Sequence, residues 1–293
     1  MIVGGNEMRT ESEVLQQIKA FAMENDDIKV VAMNGSRVNP MVPEDSFKDY
    51  DLVFFVEKLE PYQSQKNWLT TFGDILILCE PEIDGLGEPL FTDKEGYIFL
   101  VIFTDGIRMD IQLRPVSLLA SYLKEDSLTK IIIDKEQRMP LKPVPNDSNY
   151  HVQRPSEELY QASCNEFWWQ VLNVLKAYHR DELLVAVYYL NLTRSELIRM
   201  LSWQVGIETD FSLSLGKEHH LLQRYLPKKE WKKLLSSFDT TSKETLYESL
   251  LIIRTLFKEA LRMVGNSLNY SVEDGELIVE KFLEAHCKNQ NFK

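Results

Sequence analysis

An apolar run from Ile28 to Met33 ends on Asn34-Gly35-Ser36-Arg37, and twelve residues after Arg37 the chain reads Asp49-Tyr50-Asp51-Leu52-Val53. This pair of stretches constrains the fold more than anything else in the sequence. The first run reads as a buried strand broken at a glycine, where bare backbone can approach a ligand closely. Asp51 to Val56 reads as a second strand, with two carboxylates at its entrance. Side chains at i and i+2 of a strand point to the same side, so Asp49 and Asp51 can converge on one cation. Two carboxylates together with substrate phosphates are a common way to hold magnesium. A glycine turn for phosphate beside a paired-carboxylate clamp points to nucleotidyl or phosphoryl transfer. Neither half is specific alone: a D-x-D arises by chance among 45 acidic residues, and Gly-Ser after a strand is usually a plain turn.

The joint pattern is sharper. A hydrophobic residue, Gly35-Ser36, a gap of about a dozen residues, then Asp49-Tyr50-Asp51-Leu52 resembles the signature of the polymerase-β-like nucleotidyltransferase superfamily.

Around this centre the chain alternates helix and strand. Glu11 to Glu24 carries apolar residues at Val14, Leu15, Ile18, Phe21 and Ala22, the spacing of an amphipathic helix, with Thr10 or Ser12 as its cap. A short helix is expected just after Gly35-Ser36, a helix end at Trp68–Phe72, and a strand at Ile75–Cys79. Tyr97–Phe103 and Ile107–Leu113 are apolar runs joined by Thr104-Asp105-Gly106, a hairpin signal. In the second run Met109, Ile111 and Leu113 share one face, and Arg108, Asp110 and Gln112 the other. Asp110 is therefore an acid inside an apolar strand: either an exposed edge residue, or a group that needs a partner or a metal. A helix at Ser117–Leu123 and a strand at Ile131–Asp134 follow.

Met139 to Tyr150 holds three prolines among polar residues and reads as a linker. After Pro155 the period is helical almost throughout. Segments are expected from Ser156 to about Tyr178, then Asp181–Leu192, Ser195–Val205, Glu218–Tyr225, Lys229–Phe238, Lys243–Met263 and Glu273–Cys287. The fold expected is thus α+β: an N-terminal polymerase-β-like nucleotidyltransferase domain with a mixed sheet (8–138), a linker (139–155), and a C-terminal all-α helical bundle (156–290).

Charge narrows the partners. Residues 1–150 hold 26 Asp and Glu against 15 Lys and Arg, whereas residues 151–293 hold 19 against 18. An acidic catalytic half repels nucleic acid and attracts a cation. The loop bearing Glu80, Glu82, Asp84, Glu88, Asp93 and Glu95, interrupted by Lys94, reads either as a solvated surface loop or as a wall for a polycation. The three cysteines, Cys79, Cys164 and Cys287, form no C-x-x-C pair, which suits a reducing compartment. No signal peptide and no membrane-spanning run is apparent, so a cytoplasmic location is expected.

Further along, the Arg108-Met109-Asp110-Ile111 strand, Val144-Pro145-Asn146-Asp147, Cys164-Asn165-Glu166-Phe167-Trp168 and Leu215-Gly216-Lys217 follow the first two motifs in order. Together they resemble the aminoglycoside 6-adenylyltransferases that modify streptomycin, over about residues 8–290. The resemblance implies transfer of AMP from ATP to a streptomycin hydroxyl, with release of pyrophosphate. It implies Gly35, Ser36 and Arg37 at the β- and γ-phosphates, and Asp49 and Asp51 holding two magnesium ions. Asp110 is the third acid, binding metal or taking the hydroxyl proton, with Glu166 as the other base. Lys217 would reach the triphosphate. Glu82, Asp84, Glu166 and Trp168 would meet the two guanidinium groups of streptomycin, in a cleft between the two domains. Trp168 and Trp169 are adjacent, about 100° apart on a helix, so one belongs to the core and the other can line the acceptor. A monomer acting on ATP and a small cationic acceptor, without nucleic acid or membrane, is expected. The rival acceptors are another aminoglycoside, a lincosamide or a protein side chain.

Overall fold

Helix α1 (Glu11–Glu24) starts at a capping box: the Thr10 hydroxyl accepts from the Glu13 amide, and the Glu13 carboxylate accepts from the Thr10 amide. Its apolar stripe, Val14, Ile18, Phe21 and Ala22, is buried. The computed structural model describes residues 7–85, 87–91, 95–272 and 275–286. The chain divides into two units, Met1–Asn149 and Tyr150–Lys293.

In the first unit β1 (Ile28–Asn34), β2 (Tyr50–Val56), β3 (Ile75–Cys79), β4 (Tyr97–Phe103), β5 (Arg108–Pro115) and β6 (Thr129–Asp134) form one sheet. Its order is β3-β4-β5-β2-β1-β6. The β2–β5 pair is parallel and the other neighbours are antiparallel, giving the mixed sheet. Alternation sets the two faces. Leu52, Phe54 and Val56 pack with Phe21 and Phe72 beneath α1, while Val53 and Phe55 turn to Leu119 and Tyr122. Phe54 and Phe55 are both fully buried, worth roughly 1.5–3 kcal/mol each. Short helices α2 (Glu60–Ser64) and α3 (Leu119–Tyr122) complete the unit. The β4–β5 hairpin turns at Gly106, φ +87°, and the Asp105 carboxylate secures it by accepting from the Ile107 amide and from Arg9 Nε at 2.6 Å.

The second unit is helical: α4 (Glu157–His179), α5 (Leu183–Glu208), α6 (Lys228–Ser236), α7 (Lys243–Leu268) and α8 (Glu276–His286). Its core centres on Phe167 of α4 stacked on Phe257 of α7, ring centroids 3.5 Å apart. Two expectations change here. The segments 181–192 and 195–205 are one helix, α5, because Thr193 and Arg194 turn polar groups inward without breaking the chain. The Thr193 hydroxyl donates to the Tyr189 carbonyl, and the buried Arg194 guanidinium donates to Asn191 and Ser237. The expected helix 218–225 is instead two separate single turns of 3-10 helix, since Glu218 and His219 take φ of +52° and +58°. Glu273 and Cys287, the expected ends of the last helix, lie outside the described residues, as do Asp93 and Lys94 of the acidic loop. Among the described residues, no helix is long and apolar enough to cross a membrane.

Candidate active site

Register brings the first unit's site together. β1 runs antiparallel to β2 and places Asn34 opposite Asp51; β5 runs parallel to β2 and places Asp110 opposite Asp51. The exit of β1 and the entrances of β2 and β5 therefore share one end of the sheet. Asp51 and Asp110 lie on the face opposite to that packed under α1, because Leu52 and Phe54, like Met109 and Ile111, belong to the α1 side. Asp49, two residues before Asp51, is on the same side by the same period.

At the end of β1 the chain turns through a four-residue 3-10 helix, Gly35–Val38, with Gly35 at φ +73°. A Cβ built there would sit 2.2 Å from Asp51 Oδ2. Only glycine lets this turn pass over the carboxylate. Asn34 has its side chain in a network on the same side: Nδ2 donates to Thr129 Oγ1 at 2.9 Å and to Asp126 at 3.3 Å, and Oδ1 accepts from the Tyr122 hydroxyl. Burial pushes the Tyr122 hydroxyl pKa up to about 12, so it stays a donor.

The acids are joined by a cation. Arg108 forks onto Asp110, Nε to Oδ1 at 2.9 Å and Nη2 to Oδ2 at 2.8 Å, and its Nη1 lies 3.4 Å from Asp49 Oδ2. The bond to Asp110 raises the Arg108 pKa, burial opposes this, and the charges of Asp110, Asp49 and Asp51 reinforce it. The side chains are not gathered as a metal cluster: among the described residues no group of three His, Cys, Asp or Glu is so arranged. The donor set nevertheless fits a hard divalent ion. It offers carboxylate oxygens from adjacent strand positions, beside a glycine whose missing Cβ leaves Asp51 its room.

Other expected residues are placed differently. Arg37 is engaged with the entrance of β2. Its guanidinium donates to the Lys48 carbonyl (2.6 Å) and the Asp49 carbonyl (3.1 Å), and it lies 3.7 Å from the Tyr50 ring centroid, with the side chain only 6% exposed. It holds the entrance of β2. Glu82 and Asp84 serve their own loop: Asp84 accepts from the Glu80 amide at 2.8 Å, and Glu82 Oε2 accepts from the Ile98 amide at 3.3 Å. Glu82 Oε1 is buried without a hydrogen-bond partner among the described residues.

In the second unit Glu166 is exposed on α4 and accepts from Gln170 Nε2 at 2.5 Å. Lys217 is exposed just after Gly216, φ +74°. Trp168 is a correction. It is 4% exposed and packed edge-on against Phe167 and Phe257, while Trp169 is 64% exposed. Trp168 is the core member of the pair and is not available to an acceptor. Arg108, Asn34 and Tyr122 were not expected at the site. Arg108 left a signal as the cation two residues from Asp110 on the same strand face, and Asn34 as the residue before Gly35.

Comparison with known proteins places the whole chain. A family profile described as streptomycin adenylyltransferase matches residues 8–285. The chain is 36% identical over 264 residues to an aminoglycoside 6-adenylyltransferase of Campylobacter jejuni, covering 90% of this chain and 91% of that one. It is 36% identical over 285 residues to an aminoglycoside 6-adenylyltransferase of Staphylococcus aureus, covering 96% and 100%. The crystal structure of an aminoglycoside 6-adenyltransferase from Bacillus subtilis aligns at 26% identity with a TM-score of 0.46, covering 95% of this chain and 98% of that one.

Proposed function

We propose, because this chain belongs to the streptomycin adenylyltransferase family, that its chemistry is carried by Gly35, Ser36, Asp49, Asp51 and Asp110 of the first unit. The protein is an aminoglycoside adenylyltransferase: AMP passes from ATP to a hydroxyl of streptomycin, pyrophosphate leaves, and resistance to the antibiotic results. The observation that carries the residue assignment is the register pairing of Asp51 with Asp110 beside the Gly35 turn.

In this reading the backbone amides after Gly35 and the Ser36 hydroxyl receive the β- and γ-phosphates, as successive amides in a tight turn do for anions. Asp49, Asp51 and Asp110 would hold magnesium, which when bound polarises the phosphate and aligns the hydroxyl with the α-phosphorus. Arg37 positions Asp49 through the carbonyls of residues 48 and 49 rather than touching phosphate. Asp110 would take the hydroxyl proton. Streptomycin is cationic, and the acidic first unit suits it. Glu82 and Asp84 of the acidic loop are assigned to its guanidinium groups.

The test is pyrophosphate release from MgATP with and without streptomycin, for the parent and Asp51→Asn. Streptomycin-dependent release should fall at least about a hundred-fold in the variant, the several kcal/mol a metal clamp supplies. Undiminished release from Asp51→Asn refutes the site. Release in the parent that ignores streptomycin but answers another aminoglycoside refutes the acceptor alone.

A further inference from the structure

Arg108 opens β5 on the same side as Asp110 and holds both of that carboxylate's oxygens in a two-bond fork. The same guanidinium reaches Asp49 at 3.4 Å, and the charge of Asp51 acts on it too. One cation therefore bonds two acids of the proposed clamp and lies within the field of the third. Three carboxylates at the entrances of adjacent strands repel one another, and this guanidinium offsets that repulsion. It also competes for the oxygens a metal ion would need, since a fork takes both oxygens of Asp110 and leaves metal coordination only the lone pairs behind them. The Arg108 side chain is 43% exposed, which gives it a route into solvent.

We propose that Arg108 is a built-in counter-cation for the acidic cluster, holding Asp49 and Asp110 until a divalent metal arrives and withdrawing from them as it binds, so that its fork sets the metal affinity. The inference rests on the reading of Asp49, Asp51 and Asp110 as the metal clamp. It makes Arg108 a positioning residue whose removal has two opposite effects. Metal binds more tightly, because no bonds must be broken first. The metal-free protein becomes less stable, because the carboxylates lose their counter-charge.

The experiment titrates the full chain with Mn2+, in the absence of nucleotide, and counts free Mn2+ by its electron paramagnetic resonance signal. The parent, Arg108→Gln, Arg108→Lys and Asp51→Asn are compared, with thermal unfolding in chelator and in Mn2+ recorded for each. Arg108→Gln should bind Mn2+ about five-fold more tightly, the scale of a half-exposed ion pair. It should also gain more in Tm from Mn2+ than the parent does. Arg108→Lys keeps the charge but not the fork and should fall between them; it carries the test if the glutamine variant does not fold. A merely structural arginine would weaken or leave unchanged the metal affinity when removed. Binding lost in Asp51→Asn but equal or weaker in both Arg108 variants leaves the clamp standing and overturns this inference alone. Equal binding by the parent and Asp51→Asn overturns the clamp, and this inference with it.

Discussion

Replacing Gly35 by alanine tests the turn and the acid together. At φ +73° an L-residue is strained, by about 1–2 kcal/mol. The added Cβ would also lie 2.2 Å from Asp51 Oδ2 and 3.0 Å from its Cγ, so the carboxylate must rotate away or the turn must lift. Overpacking of this kind costs about 1–3 kcal/mol, and the two effects together come to roughly 2–5 kcal/mol. The second part can be isolated. In an Asp51→Ala background the nearest atom of residue 51 to the new methyl is Cβ, at 3.6 Å, an ordinary contact, and only the backbone strain remains.

Urea unfolding of the parent, both single variants and the double variant closes this cycle. The expected coupling is about 1–3 kcal/mol, with Gly35→Ala costing less when Asp51 is already gone. Pyrophosphate release by Gly35→Ala should fall by about two orders of magnitude, since the displaced carboxylate no longer stands beside Asp110. Additivity within about 0.5 kcal/mol, with activity retained, would refute the claim that the glycine exists to make room for Asp51.

Arg37→Lys loses a planar fork onto the carbonyls of Lys48 and Asp49, costing about 1.5–3 kcal/mol. It should lower kcat with little change in KM for ATP; a rise in KM alone would return Arg37 to the phosphates. Trp168→Ala should destabilise by about 3–5 kcal/mol, and Trp169→Ala by less than about 0.5 kcal/mol, both read by thermal unfolding. Asp105 supplies a pH test. Burial raises its pKa, but the hydrogen bond from Arg9, the Ile107 amide and the Arg9 charge outweigh that and hold it below 3.8. A depressed carboxylate stabilises the fold above its unfolded value, and that contribution is lost as pH falls through the folded one. Asp105→Asn should therefore be less stable near neutrality, and its deficit against the parent in denaturation curves should begin to shrink as the pH falls below about 3.8 and close only below the lower folded value.

The strands were legible because they are apolar runs bounded by Gly, Pro and Asp, and Asp110 stood out as an acid among Met109, Ile111 and Leu113. The strand order was not legible. Periodicity tells which residues share a face but not which strand lies alongside, so the parallel pairing of β2 with β5, and with it the reach of Arg108 to Asp49, needed the structure. The place of Arg37 was not legible for a local reason: the single 3-10 turn that begins at Gly35 buries Val38 and stacks Arg37 on Tyr50. The tryptophan choice was within reach. Tyr160, Cys164, Phe167, Val171 and Val174 trace the buried stripe of α4, and Trp168 falls at i+4 from Cys164 whereas Trp169 falls off the stripe.

The pattern that makes the core also fixes the site. Leu52, Phe54 and Val56 are fully buried on the α1 side of β2. A slip of one residue would send all three to the other face and bring Asp51 into the apolar layer. The same holds on β5, where Met109, Ile111 and Leu113 are fully buried and pin Asp110 to the opposite side. Two strands held in register by their own apolar residues thus leave Asp51 and Asp110 side by side. What remains adjustable is the side chains, and Arg108, on the exposed end of the same strand, ties Asp110 to Asp49. The backbone supplies the fixed part of the site, and the half-exposed guanidinium its movable part.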